Sequence, residues 1–249
     1  MAGNQRLHIR TSPDNHLQTR NRYHITFLLL AFTQIASIST AHSAEVSERW
    51  ENLLANDSLA AWRNYQSQNI SDGWSVSNGT LQKTGRNAGD LITREQYSDF
   101  ELELEWRVEN GGNSGIFFRA TEAEPRIYLS APEVQILDDN HHKDGRSPLT
   151  SAGSNYALHP APRGVVRSAG AWNQVRLRVE GDQVSQWLNN QLIVEYQLGS
   201  EDWQQRVANS KFAKWPSYGK AASGHIGLQD HGDPVAFRNI RIRRLEPPK

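Results

Sequence analysis

The run FELELEWRVE at residues 100–109 constrains the fold more than any other stretch of this chain. Every second residue from Phe100 to Val108 is apolar, and the residues between them are glutamates and an arginine. An alternation with period two predicts an antiparallel β-strand with one buried face and one solvated face. An α-helix, with its period of 3.6, would scatter both kinds of side chain around its surface.

Similar runs recur with turn residues between them. Residues 173–196 predict a series of hairpins, with turns at Gly181-Asp182 and Asn189-Asn190. About ten strands result, and this predicts an all-β, antiparallel two-sheet sandwich or barrel. The other predicted strands are Trp74 to Val76, Thr80 to Lys83, Asp90 to Thr93, Ser114 to Arg119, Pro132 to Leu137, His225 to Leu228 and Val235 to Arg244.

One short helix is predicted, from Ser200 to about Asn209. Ser200 can cap the free amides of the first turn, and Trp203 with Val207 forms an apolar pair one turn apart. The segment 139–170 has no strong period and is rich in Pro, Gly, Ser and His. We expect it to form long loops over one sheet, and such loops are often functional.

Residues 1–43 read as an export signal, with basic residues, an apolar run and then small residues. We therefore predict a periplasmic or secreted protein whose residues 44–249 form one domain. No later run approaches the roughly 20 apolar residues of a membrane span. The mature part has 23 basic and 26 acidic residues, a balance that is poor for binding nucleic acid. The absence of cysteine excludes disulfides, thiol nucleophiles and thiolate zinc sites.

Polar side chains concentrate at the end of the predicted strand 132–137. Because side chains alternate along a strand, Glu133 and Gln135 share one face while Val134 and Ile136 occupy the other. If the apolar pair fills the space between the sheets, Glu133 and Gln135 point into a cleft. Asp138 and His141 follow in the loop, and we include them in the predicted site.

A second polar cluster follows the predicted strand 225–228. His225, Gly227 and Gln229 share the face opposite to the core, and we expect Gly227 to leave room for a ligand. Asp230 and His231 come at the turn after the strand. Two polar strand ends of this kind predict one shared site.

Four further residues complete the predicted site. Asn113 lies on a glycine-rich loop, and Arg119 follows at the end of the next strand, on the same face as Phe117. The fixed charge of Arg119 suits sugar binding or the stabilisation of developing negative charge. Tyr156 and Trp215 are aromatic side chains of the kind that stack on sugars.

A series of sequence blocks in order resembles the 3-keto-disaccharide hydrolase family, also described as 3-keto-glucoside lyase/hydratase domains. The blocks are WENLL and LAAW near 50–62, GDLIT at 89–93, YSDFELELEWRV at 97–108, GGNSGIFFRA at 111–120, PEVQILDD at 132–139, AGSNYAL at 152–158, GAWNQVRLRVEG at 170–181, WLNNQLIVEY at 187–196 and GKAASGHIGLQDHGDPVAFRNIRIRRL at 219–245. The resemblance implies a concanavalin A-like jelly roll and action on glycosides already oxidised at carbon 3.

A carbonyl at carbon 3 makes the hydrogen on carbon 2 acidic, so a carbon-1 substituent can leave by elimination, and water can then add. Such an enzyme needs a base, an enolate stabiliser and an acid. We expect Glu133 or His141 to be the base, and Arg119, His225 or a bound divalent metal to hold the enolate oxygen. The His and Asp content of both clusters motivates the metal hypothesis, although no closed metal motif is present.

Two other functions remain open at this point. Glu133, Gln135 and Asp138 occupy the spacing of the Glu-x-Asp-x-x-Glu motif of laminarinase-type retaining glucanases, with the middle carboxylate replaced by an amide. A conventional glucanase on the same fold is therefore one alternative. A non-catalytic carbohydrate-binding module is the other, and the density of titratable groups argues against it.

Overall fold

The computed structural model describes residues 49–85 and 87–246, so the predicted export segment 1–43 lies outside the described residues. The described ranges contain thirteen strands, one α-helix and four short 3₁₀ helices. The strands are β1 (Glu51–Asn52), β2 (Trp62–Asn64), β3 (Trp74–Ser77), β4 (Thr80–Lys83), β5 (Leu91–Thr93), β6 (Phe100–Val108), β7 (Asn113–Ala120), β8 (Glu133–Leu137), β9 (Asn173–Glu180), β10 (Gln183–Leu188), β11 (Gln191–Gln197), β12 (His225–Leu228) and β13 (Val235–Arg244). The helix is α1 (Glu201–Ala208), and the 3₁₀ helices are Ala55–Asp57, Ile127–Leu129, Lys143–Arg146 and Lys211–Lys214.

The strands form two antiparallel sheets. The larger sheet has eight strands in the order β11-β10-β9-β6-β13-β4-β3, with β1 paired to β13. The smaller sheet has five strands in the order β2-β5-β12-β7-β8. Strands β3 to β13 lie where the sequence predicts strands, whereas β1 and β2 are short strands that the periodicity does not indicate.

The core lies between the two sheets. The apolar positions of β6 are buried there, including Phe100 and Leu104. The five-stranded sheet contributes Val134, Ile136 and Ile226 from its inward face to the same core. The period-two prediction is therefore confirmed for both sheets, and the polar positions of β8 face away from the core.

The predicted helix and the predicted long loops are also present in the structure. The hydroxyl of Ser200 accepts a hydrogen bond from the Trp203 amide at 3.2 Å and caps α1. Between β8 and β9 the chain forms turns, isolated bridges at Asn155 and one 3₁₀ helix. Within residues 49–85 and 87–246, every helix is too short or too polar to span a lipid bilayer.

Candidate functional site

A cavity of about 430 Å³ lies on the face of the five-stranded sheet that is turned away from the core. Its volume is in the range of small-molecule sites. Seven of the residues singled out in the sequence line it, together with two others. The lining residues are Asn113, Tyr128, Glu133, Gln135, Tyr156, Lys211, Trp215, Gln229 and His231.

Strand pairing explains why the polar residues meet. Strand β8 pairs with β7 so that Glu133 lies opposite Phe117 and Gln135 lies opposite Gly115. Gln229 lies on the other side of β7, where its backbone N–H donates a hydrogen bond to the Gly115 carbonyl at 2.9 Å. Alternation within each strand then brings these side chains to one face.

Glu133 is the buried acid of the cavity, with 6% of its surface exposed. Burial raises the pKa of Glu133 to about 8, and the positive charge of Lys211 partly opposes this rise. With its amide nitrogen turned towards two acceptors, Gln135 donates to Glu133 Oε1 and to the Ser114 carbonyl, both at 3.1 Å. The carboxyl group also lies where a side chain at position 115 would be, so any larger residue there would displace it.

Lys211 reaches the cavity from the 3₁₀ helix that follows α1. Its Nζ lies 4.2 Å from the ring centroid of Tyr156. The Tyr156 hydroxyl donates to Asp144 Oδ2 at 3.2 Å, and burial raises the pKa of Tyr156 to about 12. Desolvation lowers the pKa of Lys211, while Glu133 and Asp144 act in the opposite direction.

Two amides complete the polar lining. Within the described residues, the buried side-chain oxygens of Asn113 and Gln229 have no hydrogen-bond partner. Buried polar atoms normally have partners, so these two oxygens are available to a ligand hydroxyl or an ordered water. Trp215 and Tyr128 add partly exposed aromatic surface beside them.

Arg119 does not line the cavity. Its φ of +48° breaks the alternation of β7, so the side chain leaves the face that Phe117 occupies. The guanidinium donates to the Ser98 carbonyl at 2.9 Å, the Gly181 carbonyl at 2.7 Å and Asp99 Oδ1 at 3.2 Å. Arg119 thus joins the segment before β6 to the turn between β9 and β10, and it does not line the cavity that contains Glu133.

His225 does not line the cavity either. Its Nδ1 lies 2.7 Å from the Thr93 carbonyl and its Nε2 3.1 Å from the Gln96 amide nitrogen, and the residue is 4% exposed. The expectation that Gly227 leaves room for a ligand is wrong, because the side chain of Ile127 fills that space. The 3₁₀ helix Ile127–Leu129 packs an apolar cluster over this part of the face. The cluster consists of Ile92, Phe117, Ala120, Ile127 and Ala131.

Asp138 and His141 form a separate pair outside the lining. Asp138 accepts hydrogen bonds from the Gly111 and Asn140 amides, and His141 Nδ1 lies 2.7 Å from its carboxylate. Burial alone would raise the pKa of Asp138, and these hydrogen bonds hold it below its ordinary value. The pair therefore fixes the loop after β8 without reaching Glu133 directly.

Asp230 is likewise held outside the lining. Its Oδ1 lies 2.7 Å from Lys83 Nζ, and its Oδ2 accepts from the Gly89 amide. The neighbouring His231 does reach the cavity, and its ring centroid lies 6.2 Å from that of His142.

The two His/Asp clusters are thus dispersed among separate contacts. Across the described ranges, no group of three or more His, Asp or Glu side chains is arranged to hold a metal ion. The side chains of these clusters therefore do not fit a metal ion.

Sequence reasoning missed Tyr128 and Lys211. Both residues lie in short 3₁₀ helices and not in strands. The alternation of a strand therefore gives no information on the direction of their side chains. A signal was present for Lys211, which stands among aromatic residues in the KFAKW segment at 211–215.

Comparison with known proteins agrees with this architecture. A model of the 3-keto-α-glucoside-1,2-lyase-like domain matches residues 49–243. A 3-keto-disaccharide hydrolase of Bacteroides thetaiotaomicron is 34% identical, over 74% of this chain and 74% of its own.

Two solved structures are also similar. A candidate glycosyl hydrolase of Parabacteroides distasonis is 27% identical with a TM-score of 0.74, over 80% of this chain and 95% of its own. A Bacillus subtilis protein of unknown function with a galectin-like fold has a TM-score of 0.52 at 15% identity, covering 80% of this chain and 96% of that one. The latter likeness bears on the fold alone, and it agrees with the jelly-roll sandwich. The residues that match the family model, 49–243, include every residue that lines the cavity. The chain therefore belongs to the 3-keto-α-glucoside-1,2-lyase-like domain family.

Proposed function

We propose that the protein cleaves the glycosidic bond of sugars already oxidised at carbon 3, with Glu133 as the acid–base group. The family and the Bacteroides relative named as a 3-keto-disaccharide hydrolase support the substrate class. The observation that carries the mechanism is that, among the described residues, Glu133 is the only carboxylic acid that lines the cavity.

A single carboxyl group argues against conventional glycoside hydrolysis. Retaining enzymes hold two carboxyl groups about 5–5.5 Å apart across the scissile bond. Here the position two residues after Glu133 is the amide Gln135, and Asp138 is bonded to His141 outside the lining. Elimination from a ketone needs one strong base, and a carboxylate with a pKa near 8 is a stronger base than an ordinary one.

The proposed reaction runs in two stages. Glu133 takes the proton from carbon 2, the electron pair forms the carbon-2 to carbon-3 double bond of an enolate, and the charge moves to the ketone oxygen. The enolate then collapses to an enone as the carbon-1 oxygen leaves, and Glu133 can return its proton to that oxygen. Water adds to the double bond between carbons 1 and 2, so the net result is hydrolysis.

The remaining lining residues suit a sugar. Asn113 and Gln229 offer amide groups to hydroxyls, and Trp215 offers an apolar ring face. Such sites combine aromatic surface with a few directional polar groups. We assign these residues, with Gln135, Tyr156 and His231, to substrate binding.

We also propose that the enzyme acts after export, in the periplasm or outside the cell. The support is the pattern of residues 1–43, which reads as a signal peptide. Mass measurement of the protein recovered from the periplasm or medium tests this proposal. Removal of a segment ending near residue 43 is expected, and recovery of the intact chain in the cytoplasm would contradict it.

The test of function is incubation with 3-keto-trehalose, with trehalose as the control substrate. Release of glucose from the oxidised sugar alone, with transient enone absorbance, is the expected result. Cleavage of plain trehalose would instead indicate a conventional glycosidase. Binding of the oxidised sugar without turnover would indicate a carbohydrate-binding module.

A further inference from the structure

Among the described residues that line the cavity, Lys211 is the cation whose ammonium group has no ion-pair partner. It lies 4.2 Å from the ring centroid of Tyr156 and 5.1 Å from that of Phe212. In the part of the chain that the structure describes, its Nζ has neither a hydrogen bond nor an ion pair with a carboxylate. The three N–H donors of this group are therefore available to a ligand.

Lys211 and Glu133 line the same cavity without forming an ion pair. The aromatic rings of Tyr156 and Phe212 flank the ammonium group and hold it by cation–π attraction. The Tyr156 ring is in turn fixed by its hydroxyl, which donates to Asp144. This arrangement keeps a positive charge near the acid while leaving both groups free to contact a substrate.

The elimination proposed above creates negative charge on the oxygen at carbon 3. An active site lowers the barrier most when it places positive charge or donors where such charge develops. The sequence suggests Arg119, His225 or a divalent metal for this task. Neither side chain lines the cavity, and no group of three or more potential ligands for a metal ion occurs in the described ranges. Among the lining residues, Lys211 is the one lysine or arginine.

We propose that Lys211 binds the enolate oxygen at carbon 3 of the sugar while Glu133 takes the carbon-2 proton. This assignment rests on the proposed function. The lysine stays protonated and forms no covalent bond in this step. The proton moves from carbon 2 to Glu133, and the electron pair moves towards the ketone oxygen that the ammonium group holds.

The first experiment compares Lys211→Met with Lys214→Met on 3-keto-trehalose. Lys214 ends the same 3₁₀ helix but does not line the cavity, so it controls for loss of a positive charge from this segment. Removing one donor to a developing oxyanion costs about 10²–10³-fold in kcat. We expect a loss of that size for Lys211→Met with a smaller change in KM, and full activity for Lys214→Met.

The pH profile gives a readout that a merely structural role would not change. The positive charge of Lys211 lowers the pKa of Glu133. Lys211→Met should therefore shift the rise of kcat/KM to higher pH, and Lys211→Arg should restore the position of the profile. Thermal melting of each variant checks that the fold is kept.

Carbon-2 proton exchange isolates the enolisation step. A 3-keto-1,5-anhydroglucitol has no leaving group at carbon 1, so exchange in deuterium oxide, followed by NMR, reports proton abstraction alone. We expect Lys211→Met to slow exchange at carbon 2 as strongly as it slows cleavage. Normal exchange in this variant would overturn the assignment.

Other outcomes separate the two proposals. An active wild type with an equally active Lys211→Met would overturn the role of Lys211 and leave the proposed function standing. A wild type that neither cleaves the oxidised sugar nor exchanges carbon 2 would overturn both. Attachment of the sugar to Lys211 after borohydride treatment would replace the electrostatic role with an imine and overturn the assignment.

Discussion

The outward faces of the two sheets carry cavities of similar size but differ in how their charges are paired. The cavity on the eight-stranded sheet, about 400 Å³, contains Glu103 and Glu105, and arginines neutralise both. The cavity on the five-stranded sheet, about 430 Å³, contains Glu133 and Lys211, which form no ion pair. The two cavities therefore have similar volumes, but the acids of one are paired with arginines and the acid of the other has no ion-pair partner among the described residues.

Strand register causes this difference. Strand β6 pairs with β13 so that Arg241 lies opposite Glu103 and Arg238 lies opposite Glu105. On the other sheet, Phe117 lies opposite Glu133, so no cation is available across the strand. Exposed pairs stabilise a sheet face weakly, while a buried, unpaired acid has a shifted pKa of the kind found at functional sites.

The largest effect that would sharpen the comparison is expected from Glu133→Gln. Removal of a general base lowers rates by about 10²–10⁴-fold, so kcat/KM on 3-keto-trehalose should fall by that factor. Glu103→Gln is the matched control on the other face, and it should leave activity unchanged. Equal losses in both variants would remove the distinction between the faces.

The pH dependence tests the same contrast. Because Glu133 acts as a base, activity should rise as pH increases and level off above about 8. The folded state holds the Glu133 proton more tightly than the unfolded chain does. This contribution to stability is therefore complete below the ordinary carboxyl pKa of 4.5 and declines as pH rises towards about 8.

Melting temperatures measured between about pH 5 and 9 check the sign. Glu133→Gln should flatten the decline over this range, and Glu103→Gln should leave it unchanged. Activity that falls as pH rises through 8 would show that the protonated acid is the active form, contrary to the proposed role.

Two glycine substitutions should have different effects, one in the cavity and one in the part of the same face that Ile127 covers. A methyl group at Gly115 would meet the Glu133 carboxyl, whereas one at Gly227 would meet Ile127 and Phe117. A misplacement of about 1 Å can cost 10²-fold in rate, so Gly115→Ala should lower kcat by about tenfold or more. Gly227→Ala should mainly lower stability, by about 1–3 kcal/mol from overpacking.

Kinetics on 3-keto-trehalose and urea unfolding of both variants provide the measurement. The reverse pattern, with an inactive but stable Gly227→Ala, would show that the face around His225 takes part in the reaction.

The smallest effect is expected on the eight-stranded sheet. The Arg176 guanidinium lies 3.7 Å from the ring centroid of Trp187. A partly exposed cation–π contact of this kind contributes about 0.5–1 kcal/mol, so Arg176→Gln should lower the free energy of unfolding by that amount. Urea unfolding measures the change, and turnover of 3-keto-trehalose should not change. A substantial loss of turnover would show that this face contributes to function.

Much of the candidate site follows from strand periodicity. Alternation in β8 places Glu133 and Gln135 on the outward face, and the same alternation, extended one residue beyond the end of β12, places Gln229 there. The reasoning fails for Arg119, because a left-handed backbone conformation turns its side chain away. It also fails for His225, because the 3₁₀ helix Ile127–Leu129, which is distant in sequence, packs over this part of the face.

The sequence by itself determines eleven of the thirteen strands in the described ranges, the buried side of strands such as β6 and β8, and the family to which the chain belongs. Periodicity carries that information because the hydrophobic effect acts on every second residue of a half-buried strand. Only the tertiary structure decides that Lys211 and Glu133 line the same cavity and that burial raises the pKa of Glu133 to about 8. Both depend on burial by segments distant in the chain, and local periodicity contains no record of such contacts.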